Sequence, residues 1–325
     1  MSICVCNNSA LELYRASSRL LPELMSSART SKLESGRLLS ERLLAEDMRR
    51  VGVTEKPFHV LLGNTSCGRG RDDIVRHPCS DGLPPRSIIR ASRDVWTVSP
   101  EYLMCQYAAR AADPSDPFDL VDLILVGYEL CGTYLLDASI DDGFVTTEEP
   151  LTSRSKIERF CGRRGRFVGV RMVRRALRQI SDMSNSPRES IVSMLLTMSL
   201  GLGGLGLRGS VMNYEVETDQ GIKRVDIAWP KLGVGVEYQG RKYHAVEQAQ
   251  REDRRRNTLA GSGMTIITVW NEDLRDPVLF ERFVGDVTNA LGVRVRVRSE
   301  AHRAQQRLLR ARLLNEIKPY IKEPS

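Results

Sequence analysis

The sequence is short of several features that would place it in a specialised class of protein. No CxxC pair occurs among its seven cysteines. Cys67, His77 and Cys79 contain one short pair, whereas a structural zinc site needs two. The N-terminus from Met1 to Ala10 has neither a basic start nor a long apolar run, so it does not resemble a secretory signal. We therefore predict a reduced, cytoplasmic protein.

Signature motifs of common enzyme classes are missing as well. Neither GxSxG nor a Walker-type GxxxxGK followed by Ser or Thr occurs, so nothing supports a serine hydrolase or a P-loop NTPase. The segment Gly201–Gly206 matches the letters GxGxxG, but a predicted helix precedes it and a predicted strand follows. Dinucleotide binding requires the opposite order. We predict instead that these glycines end a helix and turn the chain.

Long hydrophobic runs are also scarce. The one uncharged stretch, Ser190–Leu207, has 18 residues, which is the lower edge of the length that spans a membrane. Its larger apolar residues recur at helical spacing, which favours a helix facing a protein core: Ile191, Met194, Leu195, Met198 and Leu202. The sequence therefore predicts a soluble chain with no membrane partner.

Charge is distributed unevenly, although the net charge of +7 is small for 325 residues. Residues 154–178 hold ten basic residues and one acid, and residues 294–325 hold nine basic residues and three acids. Residues 111–150, the acidic block, hold ten acids and no Lys or Arg. Such basic belts are typical of proteins that neutralise nucleic-acid phosphates. Pairing of the belts with the acidic block is the alternative, and the sequence leaves both open.

The length predicts about two domains, and four segments can be distinguished. These are a helical N-terminal segment (1–50), a mixed α/β region (51–183) that ends in a basic helix from about Val168, an α/β domain (184–293) and a basic C-terminal helix (294–325). In the third segment, Ser186-Pro187-x-Glu189 is typical of a helix start. The order α-β-β-β-α-β-α that follows predicts a compact α/β domain.

Two acids stand at the ends of predicted neighbouring strands in that domain. Asp226 begins an otherwise apolar strand, and Glu237 closes the next one eleven residues later. Hairpin strands can bring two such carboxylates to one divalent cation, and Mg²⁺ prefers oxygen ligands. A water bound to that cation can attack a phosphorus atom. The alternative is two ordinary strand-end acids that face solvent.

Further polar residues follow the second strand. Gln239 comes first, then Arg241, Lys242 and His244, and then a charged helix that carries Asp253 and Arg256. Asp253 and Arg256 are three residues apart and share a helix face. His244 has two interpretations, a general acid or base and a structural histidine.

The ordered combination of these motifs resembles a known family. Residues 186 to about 274 resemble the very-short-patch-repair endonuclease-like branch of the PD-(D/E)xK nuclease superfamily. The matching residues are Ser186-Pro187-x-Glu189, Val225-Asp226-Ile227, Glu237-x-Gln239-Gly240 with His244, Asp253-x-x-Arg256-x-x-Leu259-x-x-x-Gly263, and the strand Thr265–Trp270. The resemblance covers about 90 of 325 residues. It implies a restriction-endonuclease-like mixed sheet flanked by helices.

The preceding region resembles abortive-infection antitoxin-like domains that are fused to such a nuclease-like domain. Its matching residues are His59-Val60-Leu61-Leu62, Leu83-Pro84, Val98-Ser99-Pro100-Glu101 and the Arg-rich helix. This second resemblance implies a setting in toxin–antitoxin or phage-defence systems, with a toxin or another defence protein as partner.

The first resemblance implies roles for individual residues. Asp226 is the expected principal ligand of Mg²⁺ or Mn²⁺, with Glu237 and the carbonyl of Tyr238 beside it. Glu189 is the expected helix acid near the site, and His244 and Asp253 are expected to assist protonation or to position water. Gln239 is the departure, because the superfamily usually has Lys there, relatives of this branch have Asp, and the repair enzyme has His.

The departure at Gln239 leaves two functions open. Gln can orient a water but cannot take its proton or offset developing negative charge. Some nucleases of the superfamily tolerate Gln, and Lys223, Arg241 or Lys242 could supply the charge. The first function is a Mg²⁺-dependent DNA endonuclease, and the alternative is a catalytically inactive DNA-binding regulator of the antitoxin type.

DNA contacts are expected from two sets of basic residues. The first set lies at three- and four-residue spacing on one face of the basic helix: Arg171, Arg174, Arg175 and Arg178. We predict that this face contacts the DNA backbone without reading bases. The second set lies beside the acidic residues and comprises Arg241, Lys242 and Arg256.

Overall fold

The computed structural model contains two compact units. The N-terminal unit comprises Met1–Cys131, Leu135–Asp137 and Thr147–Arg178, and the C-terminal unit comprises Gly132–Tyr134, Ala138–Thr146 and Gln179–Ser325. The sequence-based boundaries at residues 50, 183 and 293 stay predictions. The structure describes residues 3–17, 21–33, 41–62, 73–79, 83–164, 167–240, 258–259, 261–294 and 299–320.

A mixed six-stranded sheet organises the N-terminal unit, with the strand order β2-β5-β6-β1-β3-β4. β1 runs parallel to β6 and antiparallel to β3, and β3 runs parallel to β4. The strands are β1 (Ile3–Val5), β2 (Arg29–Thr30), β3 (Phe58–Leu62), β4 (Ile74–Pro78), β5 (Ile88–Arg90) and β6 (Val95–Val98). Two short strands follow along the chain, β7 (Tyr134–Leu136) and β8 (Phe144–Thr146).

Helices complete the N-terminal unit. They are α1 (Asn7–Ala16), α2 (Leu21–Ser26), α3 (Glu41–Arg50), α4 (Pro100–Arg110), α5 (Leu120–Cys131), α6 (Arg154–Arg164) and α7 (Val170–Leu177). α4 begins as a Ser-Pro-x helix start predicts, because Ser99 accepts a hydrogen bond from the Tyr102 N–H and Pro100 occupies the first turn.

The N-terminal 50 residues are less helical than predicted. Helices alone were expected there, but β2 lies between α2 and α3, and β1 precedes α1. β1 is nevertheless an inner strand of the sheet, since it pairs with both β3 and β6. A strand of three residues is too short to show the alternation that identifies strands in a sequence. Its hydrogen bonds come from partners far along the chain.

The basic helix is shorter than predicted, because α7 ends at Leu177 and Arg178 forms its C-cap. Gly169 caps its N-terminus in the left-handed region, at φ 89°. A Cβ at Gly169 would lie 2.5 Å from the backbone carbon of Ala108 in α4, so only glycine fits there. α7 buries Val173, Ala176 and Leu177 and packs against α4 and α5.

A mixed four-stranded sheet organises the C-terminal unit, with the strand order β12-β11-β10-β9. β9, β10 and β11 are antiparallel neighbours, and β12 runs parallel to β11. The strands are β9 (Val211–Thr218), β10 (Gly221–Trp229), β11 (Val234–Gln239) and β12 (Thr265–Trp270). The helices are α8 (Pro187–Thr197), α9 (Asn271–Arg275), α10 (Pro277–Ala290) and α11 (Glu300–Ile317).

The predicted order of this unit is confirmed at its start, where α8 is followed by β9, β10 and β11. It is also confirmed at its end, where β12 precedes the predicted final helix, α10. The predicted charged helix at residues 245–260 lies almost wholly outside the described residues. The chain is thus mixed α/β, whereas a restriction-endonuclease-like arrangement remains a prediction.

The glycine-rich segment turns the chain, as predicted. α8 ends at Thr197, a single 3-10 turn spans Leu200–Leu202, and Gly203 and Gly206 take positive φ values of 90° and 67°. None of the helices in the described ranges is both long enough and apolar enough to cross a membrane.

The close approach at Gly169 gives a test of how α7 is held. Gly169→Ala places a methyl group against the Ala108 backbone at a positive φ, so we expect a loss of about 2–4 kcal/mol of unfolding free energy. Gly162→Ala is the matched control, because nothing lies within 4 Å of a Cβ in that helix. This control should be neutral or stabilise by up to about 1 kcal/mol. Urea unfolding of both variants measures the difference, and equal stability would contradict the tight contact.

Candidate active site

The first turn of α8 holds a buried carboxyl group. Ser186 Oγ accepts a hydrogen bond from the Glu189 N–H at 3.2 Å, and Ser186 Oγ donates to Glu189 Oε1 at 2.8 Å. The Asn185 N–H donates to Glu189 Oε2 at 3.0 Å. The side chain therefore returns to the backbone that precedes its own helix, in the manner of a capping box. The Ser-Pro-x-Glu pattern thus fixes the position of Glu189 as well as the start of the helix.

Glu189 has a strongly altered acidity. Burial raises its pKa to about 8, and the negative charge of Asp226 acts in the same direction. The hydrogen bonds from Asn185 and Ser186 oppose this rise. Glu189 is therefore mostly protonated at neutral pH, and the interaction with Asp226 shows that the two carboxyl groups occupy one site.

Asp226 is fixed by the neighbouring strand. The Tyr238 N–H of β11 donates to Asp226 Oδ2 at 2.8 Å. The antiparallel pairs of β10 with β11 end at Ile227 with Val236, and Asp226 and Glu237 are the next residues of the two strands. The structure therefore confirms the predicted hairpin, while joint binding of one cation by the two acids stays a prediction.

Asn213 on β9 flanks Asp226 from the other side. β9 pairs with β10 through Tyr214–Val225 and Met212–Ile227, and the pair between them, Asn213 with Asp226, is missing. Asn213 takes a left-handed φ of 51°, which breaks the ladder at that point.

The Asn213 side chain joins β9 to the start of α8. Asn213 Nδ2 donates to Asn185 Oδ1 at 3.2 Å, and Thr133 Oγ1 donates to the same oxygen at 2.6 Å. Neither Asn213 nor Asn185 was among the site residues predicted from the sequence. Asparagine within an alternating strand was the only available signal, since it tolerates the left-handed region better than most residues.

Glu237 and Gln239 are buried on β11, with 7% and 9% of their surface exposed. β12 runs alongside in parallel and sets them opposite Thr268 and Trp270. Gln239 therefore lies two residues beyond Glu237, within the buried part of the strand. Lys223, one of the residues considered as a substitute charge, is half-buried on β10.

The remaining predicted residues of this site lie outside the described residues. They are Arg241, Lys242, His244, Asp253 and Arg256. Glu189, Asp226, Glu237, Tyr238 and Gln239 thus form the described part of the site.

The predicted metal can be assessed from the donor atoms. Within the described ranges, no group of three or more His, Cys, Asp or Glu side chains is arranged to hold a metal ion. The expected ligands there are Asp226 and Glu237, with the Tyr238 carbonyl added by the family resemblance. This set fits Mg²⁺, which commonly binds through one or two carboxylates and keeps several waters. A cation beside Asp226 would also relieve the charge that raises the pKa of Glu189.

The basic face of α7 is exposed to solvent. Arg171, Arg174, Arg175 and Arg178 are all exposed, while the opposite side of the helix is buried. The acidic block was the alternative partner, and no ion pair joins it to these four arginines in the part of the chain that the structure describes. Its acids have other partners, among them Glu129 with Arg15 at 2.7 Å and Asp116 with Arg110 at 2.8 Å. Within the described residues, no ion pair therefore supports the alternative of intramolecular pairing.

A separate pair of histidines lies in the N-terminal unit. His59 Nδ1 and His77 Nε2 are 2.9 Å apart, and the two rings stack. Burial, the charge of His59 and that of Arg110 lower the pKa of His77 to about 4, so this ring is neutral at neutral pH. His77 thus hydrogen-bonds with another histidine, and Cys67 lies outside the described residues.

Comparison of the chain with protein-family models, with curated proteins and with solved structures finds no match in any of the three.

The raised pKa of Glu189 predicts a pH dependence of stability. The unfolded chain loses this proton near the ordinary value of about 4.5, whereas the folded chain keeps it to about 8. The folded state then binds more protons between these values, so this group lowers stability as pH rises from 5 to 8, and the effect levels off above pH 8.

Glu189→Gln mimics the protonated form and removes this contribution. We expect the unfolding free energy of the variant, minus that of the unaltered protein, to rise by a few kcal/mol from pH 5 to pH 9. One pKa unit corresponds to about 1.4 kcal/mol. Glu217→Gln, at an exposed position of β9, is the control and should leave the pH profile unchanged. Denaturant unfolding across this pH range measures both, and parallel profiles for the Glu189 variant and the unaltered protein would contradict the assignment.

Proposed function

We propose that the C-terminal unit is a metal-dependent nuclease domain that hydrolyses phosphodiester bonds in DNA. The single observation that carries the proposal is a pair of carboxyl groups from separate elements. Asp226 on β10 is held by the Tyr238 N–H of β11, and its charge acts on the buried Glu189 at the start of α8. Glu237, the residue before Tyr238, is buried on β11. The resemblance to the very-short-patch-repair-like branch of the PD-(D/E)xK superfamily names the same three residues. A restriction-endonuclease-like fold is part of this proposal.

Asp226 and Glu237 would hold Mg²⁺ or Mn²⁺. When bound, such an ion makes a water more acidic and stabilises charge on the phosphate group. The Tyr238 N–H holds one oxygen of Asp226, so the orientation of the carboxylate is fixed before any ligand arrives. Glu189 in its protonated form can donate a hydrogen bond, and in its ionised form can only accept.

Gln239 favours a second candidate, a DNA-binding regulator without catalytic activity. Its amide can orient a water but cannot accept a proton from it. It is buried at the position where the superfamily usually has Lys. The regulator would bind DNA without divalent ions, and no heat of metal binding that depends on Asp226 would be measured by calorimetry.

The exposed face of α7 supports DNA as the partner in both candidates. Four guanidinium groups at three- and four-residue spacing repel one another by tenths of a kcal/mol per pair. Phosphates of a nucleic-acid backbone would reverse that repulsion and release counterions. Val173, Ala176 and Leu177 already anchor the buried side of the helix, so its arginines are presented on a fixed surface.

The biological setting follows only from the resemblance of the N-terminal region to antitoxin-like domains. We include in the proposal a role in phage defence or DNA repair, in the cytoplasm, with a toxin or another defence protein as a possible class of partner. Assays of the purified protein on different DNA and RNA substrates determine the cleavage specificity and the preference between DNA and RNA.

Cleavage of plasmid DNA tests the nuclease. We expect nicking in Mg²⁺ or Mn²⁺, and a loss of at least about 100-fold in rate for Asp226→Ala, because this change removes the principal charged ligand. Asp219→Ala, in the turn between β9 and β10, removes an exposed acid and should leave the rate unchanged. Equal nicking by the two variants, or none by the unaltered protein across varied substrates, would reject catalysis at this site.

Gln239→Lys tests the departure from the superfamily. A lysine there supplies the positive charge that Gln239 lacks, so we expect the cleavage rate to rise by about tenfold or more. The double variant with Asp226→Ala is the control and should show no such rise. Agarose gels of plasmid nicking over time give both rates, and an unchanged or lower rate in the single variant would show that the missing charge does not limit cleavage.

Salt dependence tests the α7 face. Changing Arg171 and Arg175 together to Ala should weaken DNA binding about equally across sequences, because phosphate contacts carry no base information. The slope of log affinity against log salt should flatten by about one unit for each lost contact. Arg49 and Arg93, exposed in the same unit, form the charge-matched double control. Fluorescence anisotropy measures the slopes, and a drop in thermal stability with no change of slope would assign these arginines to the fold.

A further inference from the structure

Arg188 is a buried cation for which the described residues supply no hydrogen-bond or ion-pair partner. Only 8% of its surface is exposed, and its Nη1 atom is buried without a hydrogen-bond partner in the described part of the chain. No ion pair of Arg188 occurs there either. Most buried guanidinium groups are satisfied by carboxylates or carbonyls. This arginine therefore lacks what the fold normally provides.

The other buried charged side chains of the described residues do have interactions. Glu101 pairs with Arg29, Glu129 pairs with Arg15, and Glu189 accepts two hydrogen bonds. Arg310 lies over the Phe280 ring at 4.7 Å and donates to the Asp276 carbonyl. Glu237 also interacts with another residue. The Oε1 atom of Glu237 is, like Nη1 of Arg188, buried without a hydrogen-bond partner, but for Arg188 the described residues supply no interaction of either kind, neither a hydrogen bond nor an ion pair.

The surroundings of Arg188 identify the kind of ligand that is missing. Burial lowers the pKa of Arg188, the Tyr238 hydroxyl group acts in the opposite direction, and the positive charge of Arg275 lowers it again. An arginine stays protonated even so. Within the described residues, no carboxylate is bonded to Arg188, and its Nη1 donor is unused. A buried cation with an unused donor suits an anion.

The position of this group relates it to the acids. Arg188 precedes Glu189 in the first turn of α8, which has eleven residues and so a positive N-terminal end. Tyr238 is the residue whose N–H holds Asp226. Arg188 therefore shares α8 with Glu189, and Tyr238 shares β11 with Glu237.

We propose that Arg188, in the helix turn that carries Glu189, forms an anion subsite that binds a phosphate of the nucleic-acid backbone. Naming nucleic acid as the source of the phosphate rests on the proposed function. A guanidinium group binds phosphate oxygens through parallel, charge-assisted hydrogen bonds. Arg188 would supply near the acids the positive charge that Gln239 cannot.

Thermal unfolding of the full chain in inorganic phosphate tests the subsite, with chloride at the same pH and ionic strength as reference. We expect phosphate to raise the unfolding midpoint of the unaltered protein above that in chloride, because a ligand of the folded state stabilises it. Arg188→Met keeps the length of the side chain and removes its charge. It should weaken phosphate binding by about tenfold or more and should raise the midpoint in chloride, since an uncompensated buried charge is removed.

Two further variants make the result specific. Arg188→Lys keeps a positive charge and should retain part of the phosphate response. Arg310→Met removes a buried arginine that has partners, so it should lose stability and keep the full response. An equal response to phosphate in Arg188→Met and the unaltered protein, or a lower midpoint of Arg188→Met in chloride, would overturn the subsite.

Binding of duplex DNA in EDTA tests the source of the phosphate. Arg188→Met should lower the affinity by about tenfold, and an unchanged affinity would overturn the assignment to nucleic acid. Neither measurement requires a metal or cleavage, whereas the nicking rate of Asp226→Ala tests the proposed reaction. The subsite and the nuclease activity can therefore fail separately.

Discussion

The hydrogen bonds around the first turn of α8 hold the C-terminal site together. Glu189 is buried near the charge of Asp226, which disfavours its ionised form, and Asn185 and Ser186 donate hydrogen bonds to its two oxygens. Asn185 in turn receives the side chains of Thr133 and Asn213. The same few polar groups thus start the helix, fix an acid and connect the helix to β9. Without them, the buried donors and acceptors would be left unsatisfied, which costs more than an average hydrogen bond contributes.

The two units differ in whether their buried charged side chains have ion-pair partners. The N-terminal unit pairs its buried acids with arginines, as in Glu101 with Arg29, and keeps the arginines of α7 in solvent. The C-terminal unit buries Glu189 and the unpaired Arg188 within one turn of helix. Charges that a fold leaves uncompensated are concentrated at functional sites, because a ligand completes them. These charges indicate the function of the unit, whereas mixed α/β architecture is shared by proteins of many activities.

The sequence was most informative where a local rule decides the structure. Ser-Pro-x-Glu predicted the start of α8, and strand alternation with a short turn predicted the hairpin whose strands carry Asp226 and Glu237. Arg188 was missed, because it occupies the free position of that helix start, and a local pattern does not say which side of a helix is buried. β1 was missed because its partners are distant in sequence. The sequence left open whether the arginines of α7 contact DNA or the acidic block. Pairing between charges depends on distances, which cannot be read from composition.

The left-handed backbone at Asn213 has a consequence for which mutations the chain tolerates. At most positions of a strand, valine, isoleucine and threonine are the favoured replacements. At this position they would be among the worst, because branching at Cβ clashes in the left-handed region, and none of the three carries an amide to reach Asn185. Glycine would keep the backbone and lose the side-chain bond, and aspartate would keep the backbone but bring a further negative charge opposite Asp226. Few side chains can therefore replace Asn213, although it lies in a strand between the buried Met212 and the half-buried Tyr214.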